Sequence, residues 1–166
     1  YQSTENGSIN RGVYSINAKG KNKKELSVAT GTNSAAFSAD YSYYINTFQS
    51  ATKPSVFTLH DTKTAAILKK LKDNTDLASK VAGYKMSEKE FSTISVNGND
   101  LNMYTIKPLD FDPSKKYPVL VYVYGGPHAQ MVTNSWLAGA NLWMHWLANQ
   151  GYIVFTLDNR GSGERG

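Results

Sequence analysis

The stretch Val119-Leu-Val-Tyr-Val-Tyr-Gly-Gly-Pro-His128 decides the fold prediction for the second half of the chain. Its first five residues form a continuous apolar, β-branched run, which is typical of a strand buried on both faces of a parallel sheet. A second run of this kind, Tyr152–Leu157, follows later in the chain. We therefore expect two parallel strands in this region.

Between the two runs, residues 134–150 predict a crossover helix. Apolar residues recur there at spacings of three and four, so they line one face of a helix, and Gly151 is placed to end it. A strand, a helix and a strand in this order predict a right-handed βαβ unit. The residues expected on the apolar face of the helix are Trp136, Leu137, Ala140, Trp143, Met144 and Leu147.

Residues 73–118 combine local signals for a helix, a hairpin and a loop. Asn74 and Gly83 are placed as the N-cap and the C′ residue of a short helix. The turn Asn97-Gly-Asn-Asp100 predicts a hairpin. The segment 107–118 contains three prolines, so we expect a loop there. The strands expected on either side of the hairpin turn are Glu90–Val96 and Leu101–Ile106.

The first 72 residues predict short strands separated by polar turns. Such a pattern is typical of an antiparallel meander, as in a propeller blade, although sandwiches and barrels share it. Turns are expected at Asn17–Gly20, Thr30–Ser34 and Ser38–Tyr41. The expected strands are Gly12–Asn17, Leu26–Val28, the aromatic run that ends at Ile45, and Ser55–His60.

Length and composition limit the classes of function. The chain has 166 residues, 40% of them hydrophobic, with a net charge of +5 and no cysteine. It is long enough for one domain or parts of two, and it has no cysteine nucleophile or zinc-thiolate site. The longest apolar stretch, Val119–Tyr124, is too short to cross a bilayer. The lysine clusters occur beside turn residues, so solvated loops are favoured over nucleic-acid binding.

The turn Tyr124-Gly-Gly-Pro127 follows the first apolar strand, at the end where open α/β sheets bind ligands. Its two glycines allow a sharp turn that leaves backbone amides and the phenol free to face a ligand. A phenol in that place can donate a hydrogen bond to an oxyanion that forms on a substrate carbonyl. The alternative is an ordinary tight turn between a strand and a helix, with Tyr124 buried.

The segment Asp158-Asn-Arg-Gly-Ser-Gly-Glu-Arg-Gly166 follows the second apolar strand. Gly161, Gly163 and Gly166 have the spacing of a dinucleotide fingerprint, but such a fingerprint follows its strand directly and is completed by an acidic residue later in the chain. Other residues intervene here, so nucleotide binding is the weaker interpretation. We expect Arg160 to hold a carboxylate or backbone carbonyls within the loop.

The catalytic groups of a serine hydrolase are not evident. The sequence contains no G-x-S-x-G pentapeptide, which would mark the nucleophile. His60 and His145 are expected to be structural, whereas His128 lies in the glycine turn without a positioned serine or acid. The acidic residues show no metal-ligand spacing. We therefore expect no metal, no cofactor and no covalent hydrolysis by these residues alone.

The motifs around the two apolar strands resemble the opening of the catalytic domain in the prolyl oligopeptidase family of serine peptidases, in the dipeptidyl peptidase IV branch. The residues that carry the resemblance are Tyr117–Gln130, Gly151-Tyr152 and Leu157–Gly163. Residues 1–72 resemble the last propeller blade of that family. The resemblance implies a mixed β and α/β fold, with antiparallel strands of a terminal β-propeller blade in residues 1–72. Residues 73–166 are then the N-terminal part of an α/β-hydrolase domain, truncated before the nucleophile.

The resemblance also implies roles for the residues of the glycine turn. Tyr124 is the side-chain donor of the oxyanion hole, and Gly125, Gly126 and Pro127 hold it in place. In that family the second donor, the serine and the triad acid and histidine lie C-terminal to residue 166. The acidic pair that binds the amino terminus of the substrate lies upstream of residue 1. The chain alone is therefore expected to be inactive.

The intact parent is implied to be a serine-type dipeptidyl peptidase that releases N-terminal dipeptides with proline or alanine second. Its partners are then peptide substrates, with no nucleic acid and no metal, and a periplasmic or membrane-anchored extracytoplasmic location is favoured. A catalytically inactive interaction protein of the same architecture and a nucleotide-binding domain are the alternatives. The apolar runs Val119–Val123 and Ile153–Leu157 lack neighbours in a sheet cut at Gly166, so we expect a homo-oligomer.

Overall fold

The computed structural model describes residues 1–139 and 142–164. The chain divides into two compact units, the first formed by Tyr1–Ala78 with Asn134–Trp136 and the second by Ser79–Thr133 with Leu137–Gly166. No helix in the described part of the chain is long and apolar enough to cross a membrane. The assignment of residues 1–72 and 73–166 to two named domains stays a prediction.

The first unit is built on a four-stranded antiparallel meander. Its strands follow one another in the sheet in the order of the sequence. Each strand therefore pairs with the next by a short turn, as the sequence predicts for a propeller blade. The strands are β4 (Thr32–Phe37), β5 (Tyr43–Ser50), β6 (Lys53–Asp61) and β7 (Ile67–Lys72).

A smaller antiparallel sheet precedes the meander, in the order β1 (Gln2–Ser3), β2 (Gly12–Ser15), β3 (Lys24–Glu25). Val13 of this sheet packs in one buried cluster with Leu26 and Tyr44. The Tyr44 ring stacks on His60 at 4.6 Å between centroids, and its hydroxyl donates to the Leu26 carbonyl at 2.9 Å. His60 is buried and bonded at both ring nitrogens, to the Thr58 hydroxyl and the Ala65 carbonyl, which confirms its structural role.

Two predictions for the first unit need correction, and one of its strands was not predicted. The expected turn Thr30–Ser34 enters β4, because Asn33 and Ser34 pair with Phe48 and Thr47 of β5. The short strand expected at Leu26–Val28 is β3 at Lys24–Glu25 instead. The strand β7 was not predicted, since its lysine-rich sequence lacks the alternation of a half-buried strand.

The second unit is built on a four-stranded mixed sheet in the order β10-β11-β9-β8. Strands β10 and β11 are parallel, as predicted, and Val119 lies opposite Ile153. The hairpin β8–β9 is antiparallel, and Asn97 and Gly98 at its turn both have positive φ, 51° and 74°, as a type I′ turn requires. The strands are β8 (Lys89–Val96), β9 (Asn99–Ile106), β10 (Val119–Tyr122) and β11 (Ile153–Leu157).

The burial of the two parallel strands differs from the prediction. In β10, Val119 and Val121 are each 55% exposed, so this strand is not buried on both faces. In β11, buried and half-buried residues alternate. Strand β11 also has neighbours on both sides, because β9 pairs with it antiparallel from Val154–Ile106 to Leu157–Met103. The expectation that Ile153–Leu157 would be unpaired is therefore wrong.

The first helix has the predicted bounds, whereas the second is shorter than the sequence suggests. Helix α1 (Thr75–Ala82) begins directly after Asn74, as predicted, but the Asn74 side chain donates to the Ser55 carbonyl and does not cap the helix. The single helix expected over residues 134–150 is a 3₁₀ turn at Trp136–Gly139 and helix α2 (Leu142–Asn149). Ala140 lies outside the described residues. The buried residues of α2 are Met144, His145 and Ala148, whereas Trp143 is exposed.

The predicted fold class is confirmed in its antiparallel part. Apart from β10–β11, the strand pairs of the described residues are antiparallel, in sheets accompanied by few helices. The described residues do not contain the α/β-hydrolase domain itself. The α/β character of the described residues is limited to one parallel pair of strands and helix α2. A doubly wound sheet needs further parallel strands and crossover helices.

Candidate functional site

Tyr124 lies in the loop that follows β10, at the carboxyl end of that strand. Its side chain is 67% exposed. The alternative of a tight turn with a buried tyrosine is therefore wrong. The phenol is free to meet a ligand, as a hydrogen-bond donor at this end of the sheet must be.

The two glycines after Tyr124 serve different steric purposes. Gly125 has a φ of 69°, a left-handed conformation that residues with a Cβ adopt at a cost. A Cβ on Gly126 would lie 2.4 Å from Cε1 of Tyr124, so any larger residue there would displace the ring. The exposed Pro127 follows, and the turn closes where the Ala129 amide donates to the Gly126 carbonyl at 3.3 Å. This local geometry agrees with the predicted supporting role of the turn.

A cavity of about 190 Å³ lies beside Tyr124. Most of its lining is apolar, and it sits where the loops after β10 and β11 approach each other. A mostly apolar lining with a few polar groups is a feature of ligand pockets, but this cavity is smaller than the roughly 300–1,000 Å³ of most of them. Its lining includes Tyr124, Gly126, Met131, Phe155, Leu157, Asp158 and Asn159.

Asp158 connects these two loops. It is the first residue after β11 and is 3% exposed. One carboxylate oxygen accepts from the Met131 amide at 2.7 Å and the other from the Val132 amide at 3.0 Å. Sequence reasoning placed the loop support on Arg160 and missed Asp158. The available signal was an acidic residue directly at a strand end in front of a glycine-rich loop.

The rest of the 158–164 loop is held by short local contacts. The Asn159 side chain accepts from the Gly161 amide at 2.8 Å. A Cβ on Gly163 would lie 2.7 Å from the His128 carbonyl oxygen, so the two loops touch at this glycine. Arg160 is exposed, and its supporting role stays a prediction. Gly166, the last glycine of the G-x-G-x-x-G pattern, lies outside the described residues.

A second group of titratable residues is buried in the second unit, away from Tyr124. The Lys89 ammonium lies 4.7 Å from the centre of the Tyr104 ring. Burial lowers the pKa of Lys89 to about 7 and raises that of Tyr104 to about 12. His145, whose Nδ1 is 3.0 Å from the Ser87 carbonyl, has a pKa lowered mainly by burial. His145 is buried, which agrees with the predicted structural role, and its Nε2 has no hydrogen-bond partner among the described residues.

Metal binding has no site in the described part of the chain. Within residues 1–139 and 142–164, no three acidic or histidine side chains are grouped so that they could hold an ion. The class of protein that the fold and this site define is a propeller-type blade followed by a mixed sheet that carries an exposed tyrosine beside an apolar cavity.

Comparison with known proteins agrees with that class. Residues 1–55 match the model of the dipeptidyl peptidase IV N-terminal region. The chain is 31% identical over 166 residues to a probable dipeptidyl-aminopeptidase B of Aspergillus terreus, covering 98% of this chain and 18% of that protein. It is 34% identical over 176 residues to a probable dipeptidyl peptidase 4 of Trichophyton verrucosum, covering 100% and 23%.

A solved structure gives the same result. The crystal structure of Porphyromonas gingivalis dipeptidyl peptidase 4 superposes on the whole chain with a TM-score of 0.93 and 44% identity, and the chain covers 23% of it. The chain spans about a fifth of the length of the curated relatives that it matches. These findings show that the chain is a dipeptidyl peptidase IV-like segment.

Proposed function

We propose that the chain is part of a serine-type dipeptidyl peptidase, in which Tyr124 donates a hydrogen bond to the oxyanion of the transition state. The intact parent would release N-terminal dipeptides with proline or alanine in the second position. The observation that carries the proposal is the exposed Tyr124 side chain beside an apolar cavity at the carboxyl end of β10. The names of the similar proteins support the same reaction class.

The geometry around Tyr124 suits an oxyanion donor. A donor lowers the barrier only if it is aimed in advance at the place where charge develops. The ring of Tyr124 lies close to Gly126, where a side chain would collide with it.

The remaining catalytic groups belong, in this proposal, to other parts of the parent. Residues 1–72 would be the last blade region of its propeller, and residues 73–166 would lead into its catalytic domain. The serine, the histidine and the acid of the triad would meet the Tyr124 loop there. This chain would then contribute one electrostatic component of the active site, supported by the turn Gly125-Gly126-Pro127 and by Arg160.

The test is the Tyr124→Phe variant of the intact parent, assayed on a Gly-Pro amide. We expect kcat to fall by about 10²–10³-fold, as for the loss of one oxyanion donor, with little change in KM. The matched control is Tyr84→Phe, because Tyr84 is another exposed tyrosine, at 71% exposure. Unchanged turnover in Tyr124→Phe would contradict the proposed role.

Labelling of the intact parent by a fluorophosphonate separates the peptidase from an inactive interaction protein. A serine peptidase reacts covalently through its activated serine, whereas a member that lacks the serine does not. We expect labelling of the parent and none of the 166-residue chain alone. Absence of labelling in the parent would favour the interaction protein.

A further inference from the structure

We propose that Asp158 is a positioning residue for Tyr124, which it holds in place by anchoring the far end of the loop that carries the phenol. The inference rests on the proposed function of Tyr124. It concerns a residue whose carboxylate bonds to the backbone amides of Met131 and Val132 and not to the phenol. Its basis is the set of hydrogen bonds that Asp158 makes on both sides of the cavity.

The backbone of Asp158 is fixed to the sheet. Its amide donates to the Asn102 carbonyl at 2.9 Å, directly beyond the last paired residues of β11 and β9, Leu157 and Met103. The residue therefore extends the sheet by one hydrogen bond. The position of its carboxylate is therefore set by a backbone that is fixed to the sheet, as is preferred for residues that hold a functional site in place.

The carboxylate uses both of its oxygens on consecutive backbone amides. Oδ1 accepts from Met131 and Oδ2 from Val132, at 2.7 and 3.0 Å. Asp158 and Val132 are both buried, so the bond to the Val132 amide is shielded from solvent, whereas the bond to the Met131 amide is half-buried. Charge-assisted hydrogen bonds in such surroundings are about twice as strong as neutral ones. They fix both the position and the direction of the chain at Met131–Val132.

The other end of the Tyr124 loop is held by β10. Tyr122 pairs with Thr156 of β11, and the Thr156 hydroxyl donates to the Tyr122 carbonyl at 2.7 Å. The loop from Val123 to Ala129 is thus fixed at both ends, at Tyr122 by pairing with β11 and at Met131–Val132 by the Asp158 carboxylate. Tyr124, Met131 and Asp158 line the same cavity. A change at the Asp158 anchor would therefore reach the phenol through a short stretch of chain.

The conformation of this loop shows why a strong anchor is needed. Gly125 and His128 both have positive φ, 69° and 59°. For a residue with a Cβ, such as His128, this conformation is unfavourable and persists only when the surroundings hold it. Without the Asp158 bonds, the loop would be free to relax, and the phenol would leave the place where the oxyanion forms.

The Asp158→Asn variant of the intact parent tests the inference. An asparagine offers one acceptor oxygen and turns an NH₂ group toward the second amide, so one of the two bonds is lost. We expect kcat to fall about tenfold to a hundredfold, less than for removal of the donor itself, with KM nearly unchanged. Asp112→Asn is the matched control, because Asp112 also accepts from a backbone amide, that of Ser114 at 2.9 Å, but in an exposed loop.

The double variant Asp158→Asn with Tyr124→Phe separates positioning from a general structural role. If Asp158 acts through Tyr124, the double variant is no slower than Tyr124→Phe alone, since the donor that Asp158 positions is already absent. Losses that multiply would overturn the inference. If Tyr124→Phe itself leaves turnover unchanged, the proposed function fails, whereas a slow Tyr124→Phe beside a fully active Asp158→Asn refutes only the inference.

Hydrogen exchange covers the case in which Asp158→Asn folds poorly. We expect the Met131 and Val132 amides to lose protection in the variant, while the amides of β11, such as Val154, keep theirs. Loss of protection throughout β11 would overturn the inference, because Asp158 would then hold the sheet and not the loop. Unchanged protection at Met131 and Val132 would overturn it as well.

Discussion

Strands β7 and β10 are both edge strands of four-stranded sheets and both expose apolar residues, but only β7 also carries charged side chains. Strand β7 carries exposed lysines at 69, 70 and 72. Strand β10 carries Val119 and Val121, each 55% exposed. Charged edges resist pairing with another strand, whereas apolar edges invite it. The charged edge at β7 is therefore suited to end its sheet, whereas the uncharged edge at β10 is suited to pair with a further strand.

The largest effect is expected when β10 receives a positive charge of the kind that β7 carries. If the apolar edge drives self-association, Val121→Lys should weaken association of the 166-residue chain on the order of a hundredfold, because paired edges would bring like charges together. Sedimentation velocity over a range of concentrations measures the effect. Val28→Lys is the control, since Val28 is also an exposed valine but lies outside any strand. A wild-type chain that stays monomeric at micromolar concentration would contradict the prediction.

The two sheets should also differ in their response to pH, because Lys89 of β8 is buried and the lysines of β7 are not. Burial lowers the folded pKa of Lys89 to about 7 from an ordinary value of 10.5. Between these values the unfolded chain holds a proton that the folded chain does not, so the free energy of unfolding of the second unit should rise with pH. We expect about 1 kcal/mol per pH unit between pH 7 and 9.

Urea unfolding at pH 7, 8 and 9 checks this slope, followed by probes within the second unit. Lys89→Met should flatten it, whereas Lys116→Met, which replaces an exposed lysine of the same unit, should leave it unchanged. The folded neighbours His145 and Tyr104 do not interfere, since the pKa of His145 is lowered from 6.5 and that of Tyr104 is about 12. A slope that survives Lys89→Met would contradict the assignment.

The smallest expected difference concerns one buried tyrosine in each unit. Tyr44 and Tyr104 are 1% and 0% exposed. The Tyr44 hydroxyl donates to the Leu26 carbonyl at 2.9 Å. The Tyr104 hydroxyl donates to the Met144 sulfur at 3.8 Å, and a thioether sulfur is a weak acceptor. Tyr44→Phe should lower the free energy of unfolding by about 1 kcal/mol, and Tyr104→Phe by about half of that or less. Thermal unfolding of both variants tests the order, and equal losses would contradict it.

The features that the sequence predicted well are those set by residues close together in the chain. The Asn97-Gly98 turn requires positive φ at both positions, and these residue types adopt it. Helix α1 begins after Asn74 as expected. The Tyr124 turn was found because its two glycines follow an apolar strand. Each of these signals is complete within a few residues, so no distant contact is needed to interpret it.

The features that the sequence did not reveal depend on distant pairing. Leu68 and Leu71 in β7 are spaced by three, as in a helix, yet pairing with β6 makes the segment a strand. The position of β9 beside β11 was missed, because nothing local to Ile153–Leu157 names its neighbours. The role of Asp158 was missed for the same reason, since its partners Met131 and Val132 lie far from it in the sequence.

The amino-acid sequence was therefore enough to predict most of the strands, the hairpin turn and a glycine-containing loop at Tyr124 that follows a strand. The tertiary structure alone decided which strands are edges, that Tyr124 is exposed, and that a buried carboxylate holds its loop. The physical reason is that backbone preferences and hydrophobic periodicity act over a few residues. Burial and sheet order depend instead on which distant segments meet, and the free energy of that packing overrides local preference.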